Sequence, residues 1–153
     1  MFRKADHAEL TRENLMMSKK RVFAVLAAFV LTATTIHAQT LTGAQAQKSP
    51  QADAFLAYEK ALIAGGLDAA RPYMTPAKRE ELEGMIKTWG EEGFQQFLDR
   101  MRGGAQGAAR RQQIQKVDIK GDHAVLEARD SPNAITEQHL DKTKEGWKVG
   151  VRR

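Results

Sequence analysis

The apolar positions of this chain change rhythm twice, and each change marks a different kind of segment. Val22 to Leu31 (VFAVLAAFVL) is an unbroken apolar run. From Phe55 to Met101 the apolar residues recur at spacings of three and four. Phe55, Tyr58 and Leu62 share one helical face, Leu82, Met85, Ile86 and Trp89 a second, and Phe94, Phe97, Leu98 and Met101 a third. Ser49-Pro50 and Thr75-Pro76 each place a capping hydroxyl before a proline suited to the first helical position. Gly65-Gly66, Gly90 and Gly103-Gly104 end the helical stretches, and Leu67 to Met74 reads as a short helix broken near Pro72.

After Gly107 the period drops to two. Val117 and Ile119 alternate with charged neighbours, Gly121-Asp122 makes a turn, and Ala124, Leu126 and Ala128 alternate in the next run. Ser131-Pro132-Asn133 breaks the chain before a more polar strand, Ile135 to Lys142. Lys144-Glu145-Gly146 then turns it into Trp147, Val149 and Val151. Helices first and about four antiparallel strands second predict an α+β domain, with N-terminal helices packed on a curved antiparallel sheet.

The first apolar run has its own meaning. Lys19, Lys20 and Arg21 precede it, and Ile36-His37-Ala38 places a small residue before Gln39, so residues 16–38 read as a signal peptide cleaved between Ala38 and Gln39. The rival, a membrane-spanning helix, needs about 20 apolar residues; this run has ten and then meets Thr32, Thr34 and Thr35. A lipoprotein needs a cysteine, and the chain has none. Lys20-Arg21 lacks one arginine of a twin-arginine signal, so the general secretory route is expected. Residues 1–15 are polar and carry both charge signs, which suits a misassigned start ahead of Met16 or Met17, or an extended leader. Residues 39–48 (QTLTGAQAQK) read as a flexible lead-in, and residues 49–153 as one domain.

Export changes the charge argument. The whole chain carries a net charge of +5. The leader holds six basic residues (Arg3, Lys4, Arg12, Lys19, Lys20, Arg21) and three acidic ones (Asp6, Glu9, Glu13), which leaves +2 on the 115 residues from Gln39 onward. That near balance gives no reason to expect a nucleic-acid partner. A cysteine-free exported chain has neither disulfides nor thiolate metal sites, and fits a bacterial periplasm or exterior. No G-x-S-x-G elbow, P-loop, H-E-x-x-H or dinucleotide fingerprint is present, and no spacing suggests a metal or cofactor.

Two stretches carry a family likeness. In the first, Phe55-Leu56-Ala57-Tyr58-Glu59-Lys60-Ala61-Leu62 leads into Ala64-Gly65-Gly66-Leu67-Asp68-Ala69-Ala70. In the second, Lys120-Gly121-Asp122-His123-Ala124 precedes Lys144-Glu145-Gly146-Trp147-Lys148-Val149. With the order of elements, these resemble the nuclear transport factor 2-like superfamily (the cystatin-like α+β cone), in particular its small exported bacterial members of unknown function. The resemblance spans most of residues 39–153. It implies a cone-shaped barrel, a fold that hosts isomerases, dehydratases, toxin-immunity proteins and inert binding modules. Its enzymes place an acid or a histidine inside the cone.

His123 and His139 are the histidines beyond the leader. His139 shares a strand face with Ile135, Glu137 and Asp141, so His139 with Glu137 or Asp141 is the candidate catalytic pair if that face points inward. The plainer alternative is a water-facing polar face with Leu140 pointing in. His123, after a Gly-Asp turn, reads as solvated. Arg129-Asp130 reads as an anion contact at a pocket mouth or as an ordinary surface ion pair. Tyr58, Tyr73 and Trp89, with Arg129, are the candidate ligand-binding residues; core packing is the alternative for Trp89, Phe94 and Phe97. Arg100, Arg102, Arg110, Arg111 and Lys116 form the most basic stretch, with no interleaved aromatic to suggest single-strand binding.

The expected function is therefore a non-catalytic periplasmic or secreted domain that binds a small apolar ligand or a periplasmic protein, without a membrane anchor after cleavage. The alternatives are an isomerase or dehydratase using His139 with a strand carboxylate, and a homodimeric structural module.

Overall fold

The computed structural model describes residues 38–153, so residues 1–15 and all of the expected leader except Ala38 lie outside the described residues. The domain is α+β, with helices packed against an antiparallel five-stranded sheet of order β1-β2-β3-β4-β5. Strand β1 (Gln39–Thr42) and helix α1 (Gly43–Gln47) come first. Helix α2 (Pro50–Ala70), a 3-10 turn (Arg71–Tyr73), helix α3 (Pro76–Gly103) and helix α4 (Gly107–Gln113) follow. The remaining strands are β2 (Ile114–Lys120), β3 (His123–Ser131), β4 (Ala134–Thr143) and β5 (Gly146–Val149).

The two proline-led helix starts form as their sequences dictate. Ser49 accepts a hydrogen bond from the Ala52 amide at 3.1 Å, and Thr75 accepts one from Lys78 at 3.3 Å. Gly66 and Gly90 take positive φ of 67° and 73°, so both long helices bend at the glycines expected to end them.

Several sequence expectations need correction. The sheet has five strands rather than four, and the fifth is the segment expected to be a flexible lead-in. Its one large apolar residue, Leu41, pairs with Val117, while Thr40 donates to Asp118 at 2.7 Å. Ala46 of α1 is wholly buried and Gln47 donates to the Ile114 carbonyl at 3.3 Å, so the segment is tied down along its length. Residues 107–113, expected to begin the period-two region, form α4. At the other end β5 stops at Val149, so Val151 lies beyond the sheet. Trp89, expected in the core, is 49% exposed; Gly90 breaks the helical register immediately after it, and its ring leans on Phe97 with centroids 6.2 Å apart.

Pairing register assigns the two sheet faces. Ala124↔Leu140 and Leu140↔Val149 lie on the helix-covered face, where Leu126, Val117 and Ile114 join Phe55, Leu62 and Leu82 in a core of wholly or almost wholly buried side chains. Each such side chain contributes roughly 1.5–3 kcal/mol. The other face carries His123↔Asp141, Val125↔His139, Glu127↔Glu137 and Arg129↔Ile135. Leu140 thus points in and His139 points out.

Candidate functional site

The outward face gathers a chain of titratable groups that period-two spacing alone only half revealed. His123 opens β3 and Asp141 faces it from β4. His123 Nδ1 donates to Asp141 Oδ1 at 2.9 Å, since an ionised carboxylate can only accept. In the neutral tautomer that donates to Asp141, His123 Nε2 accepts from His139 Nδ1 at 3.3 Å. The two imidazoles stack with centroids 5.4 Å apart. The sequence of bonds Asp141–His123–His139 leaves the Nε2 lone pair of His139 without a partner inside the cluster. Burial, then the neighbouring His123, lowers the His139 pKa from its ordinary 6.5 and holds the ring neutral; Glu137 and Asp141 oppose that without reversing it. Asp141 also accepts from Arg153 at 2.7 Å. Its carboxylate lies so close to Gly150 that a Cβ there would stand 2.6 Å from Asp141 Oδ2, so any other residue would have to displace that carboxylate.

His139 lines an open cleft of about 680 Å³ along β4, shared with Ile135, Glu137, Lys78, Glu81 and Arg152. Two other clefts lie on the helical side. One, of about 910 Å³, has an apolar floor of Leu56, Ala57 and Ile63 between α2 and α4. Four of its rim charges are paired, Arg111 with Asp53 at 2.7 Å and Arg110 with Glu59 at 2.9 Å.

Arg110 is the residue that sequence reasoning placed in the wrong setting. Its side chain is only 11% exposed and every part of its guanidinium is engaged. Nε and one terminal nitrogen bond to Glu59, the other terminal nitrogen donates to Gln113 at 2.8 Å and to Asp130, and the group lies 5.2 Å from the Phe55 ring centroid. A bulge in β3 between Arg129 and Ser131 aims Asp130 at Arg110, where Thr136 also donates to it. Asp130 therefore does not pair with Arg129, which is exposed. Burial raises the Glu59 pKa despite Arg110. Burial also pushes Asp130 up, but hydrogen bonds from Thr136 and Arg110 outweigh it and hold that carboxyl low.

The rest of the basic stretch is largely neutralised. Arg102 pairs with Asp99 and donates to the Ile63 carbonyl, and Lys116 bridges Asp118 and Glu127. The candidate ligand-binding residues do not converge. Tyr58 is buried at 5% exposure in the core, Tyr73 sits 40% exposed on the 3-10 turn, Trp89 stands at the α3 bend, and Arg129 is on the outward sheet face. Of the catalytic candidates, Asp141 is linked to His139 through His123, and Glu137 lines the same cleft. His123, expected to be solvated, is half-buried and central to the cluster; its signal was the register that sets it opposite Asp141, which sequence alone does not fix. Among the described residues no group of three His, Cys, Asp or Glu is placed to hold a metal ion, and no helix is long and apolar enough to cross a membrane.

Comparison with protein-family models, with curated proteins and with solved structures found no match for this chain.

Proposed function

We propose that the chain is an exported, non-catalytic bacterial domain that binds a protein partner along the free edge of β4 and the outward sheet face beside it. One observation carries this reading. The helix-covered face is filled by Phe55, Leu62, Leu126 and Leu140, whereas the edge of β4 beyond β5 opens into a mixed-polarity cleft of about 680 Å³, lined by Glu137, Gln138 and His139 and by Lys78 and Glu81 of α3, with Ile135 56% exposed beside it. A filled interior argues against an enclosed small-ligand cavity, and an exposed apolar side chain rimmed by charges suits a protein surface. The leader-like residues 16–38 and the lack of cysteine support a periplasmic or secreted location. The helix-then-sheet order supports membership of the nuclear transport factor 2-like superfamily, with a cone-shaped sheet.

The test is site-specific photo-crosslinking in the native periplasm. A crosslinker at Gln138 should trap a discrete partner, and one at Lys60, on α2, should not. Equal trapping at both positions, or none at Gln138, overturns the reading.

A second reading is base catalysis at His139. The Asp141–His123–His139 chain favours it, because it orients a neutral imidazole with its free nitrogen available toward the cleft. Its signature is a histidine Nε2 whose titration tracks turnover of a proton-bearing substrate and is lost in His139→Gln.

A further inference from the structure

The mode of partner recognition is written in the pairing of β4. That strand pairs with β3 from Ala134 to Asp141, but with β5 only from Leu140 to Thr143. One more bond follows, Gly150 N–H to the His139 carbonyl at 2.8 Å, after which the tail leaves the sheet. In an antiparallel strand the N–H and C=O of one residue point the same way and those of the next point oppositely. Because the His139 carbonyl points toward β5, the backbone groups of Glu137 and Ile135 point that way too, and no strand among the described residues meets them. They open into the cleft lined by Ile135 to His139 on one side and by Lys78 and Arg152 on others. This is an unprotected sheet edge: no proline or lysine interrupts Ala134–Gln138, and Ile135 stands exposed beside it.

We infer that an extended segment of a partner protein adds to β4 as a further strand, with a basic side chain opposite Glu137 and an apolar one, two residues away, opposite Ile135. The inference rests on the protein-binding reading and specifies its chemistry. Residues opposite one another in a sheet share a face, which sets the two-residue spacing. The charge follows from local bookkeeping. Glu127, across from Glu137, pairs with Lys116 at 2.6 Å, which it shares with Asp118, and Glu81 pairs with Lys78 at 2.8 Å. Glu137 has no ion-pair partner among the described residues. The chain leaves that place unfilled: had β5 kept its register for three more residues, Arg152 would stand opposite Glu137, but the tail departs, Arg152 only lines the cleft and Arg153 is held on Asp141. A second copy fits less well. Two-fold pairing of the free segment about Thr136 sets Glu137 against Ile135 and supplies no cation.

The experiment uses the chain from Gln39 onward and the heptapeptide acetyl-Thr-Val-Thr-Lys-Thr-Val-Thr-amide, whose Val and Lys side chains share a face in either strand direction. Backbone amide NMR should show shifts and slowed exchange at Ile135 and Glu137, at millimolar affinity or tighter. Replacing the peptide Lys by Glu should weaken binding about tenfold, and the protein variant Glu137→Lys should invert that preference. Ile135→Pro removes a donor that faces the cleft and not β3, so it should keep the fold and lose the peptide. No change at those amides, shifts centred elsewhere, dimerisation through β4 without peptide binding, or binding indifferent to both variants each overturns the inference. If crosslinking at Gln138 still traps a partner while the peptide and the Ile135→Pro result fail, the protein-binding reading stands and only strand addition falls.

Discussion

Two polar clusters sit on opposite sides of the same sheet, and they are built to opposite ends. On the helical side, Arg110 joins Glu59, Asp130, Gln113 and the Phe55 ring, and every nitrogen of its guanidinium has a partner. On the outward side, Asp141, His123 and His139 form an open chain whose last nitrogen has none within the cluster. The closed cluster ties α2, α4 and β3 together, three elements remote in sequence, and holds each guanidinium nitrogen on a partner within the protein. The open cluster joins two residues of β4 to the first residue of β3, which are already neighbours in the sheet, and so adds little to the fold. The contrast separates a polar network that the architecture needs from one that it merely tolerates, and the second kind is where binding or chemistry is expected.

Breaking the closed cluster should give the largest effect. Arg110→Met leaves Glu59, 14% exposed, without its cation, and should lower unfolding free energy by about 3 kcal/mol in urea denaturation. Adding Glu59→Met should restore much of that loss, because two packed apolar side chains replace an orphaned charge. On the other face, Asp141→Asn should cost less than about 1 kcal/mol, since its ion pair with Arg153 is largely solvent-exposed on the arginine side. A comparable loss from Asp141→Asn would erase the distinction between the two clusters.

The unequal legibility of these regions has a physical cause. Helix starts, glycine bends and the period-two strands are local, so Ser49-Pro50, Thr75-Pro76 and Gly90 were readable from neighbours in the chain. Strand β1 was not, because Gln39–Thr42 offers one large apolar residue and depends on its pairing with β2 for its order. Arg110 was hidden for the same reason. In sequence it belongs to a run of arginines, and only a β3 bulge and a helix 51 positions away convert it into a buried junction. Of the candidate site, His139, Glu137 and Asp141 were recoverable from alternation on one strand. The role of His123 required the β3–β4 register, a non-local quantity.

An intermediate effect should come from Gly150. A Cβ at that position would lie 2.6 Å from Asp141 Oδ2, so Gly150→Ala must displace the carboxylate or the tail. The expected result is a shift of the His123 ring-nitrogen resonances toward a mixture of tautomers, with stability reduced by no more than about 1 kcal/mol. An unchanged His123 tautomer would show that Asp141 does not set it.

The smallest effect concerns acidity, and there the two clusters differ in sign. The His139 pKa lies below 6.5 in the folded chain, so as the pH falls through 6.5 the unfolded chain takes up a proton before the folded one does. Stability is lost from that point until the lower folded value is passed. Glu59 acts in reverse. Its folded pKa is above 4.5, so the folded chain binds the proton first and acidification through the window above 4.5 stabilises it. Asp130 is held below 3.8, and its contribution persists until the pH falls under the ordinary carboxylate range. Among the groups whose shifts are described, only His139 predicts destabilisation that sets in near pH 6.5. Urea midpoints measured across that range should fall in the wild-type chain and flatten in His139→Gln, while Glu59→Gln leaves the fall in place. A fall that survives His139→Gln and vanishes in Glu59→Gln would reverse the assignment of the acid-sensitive cluster.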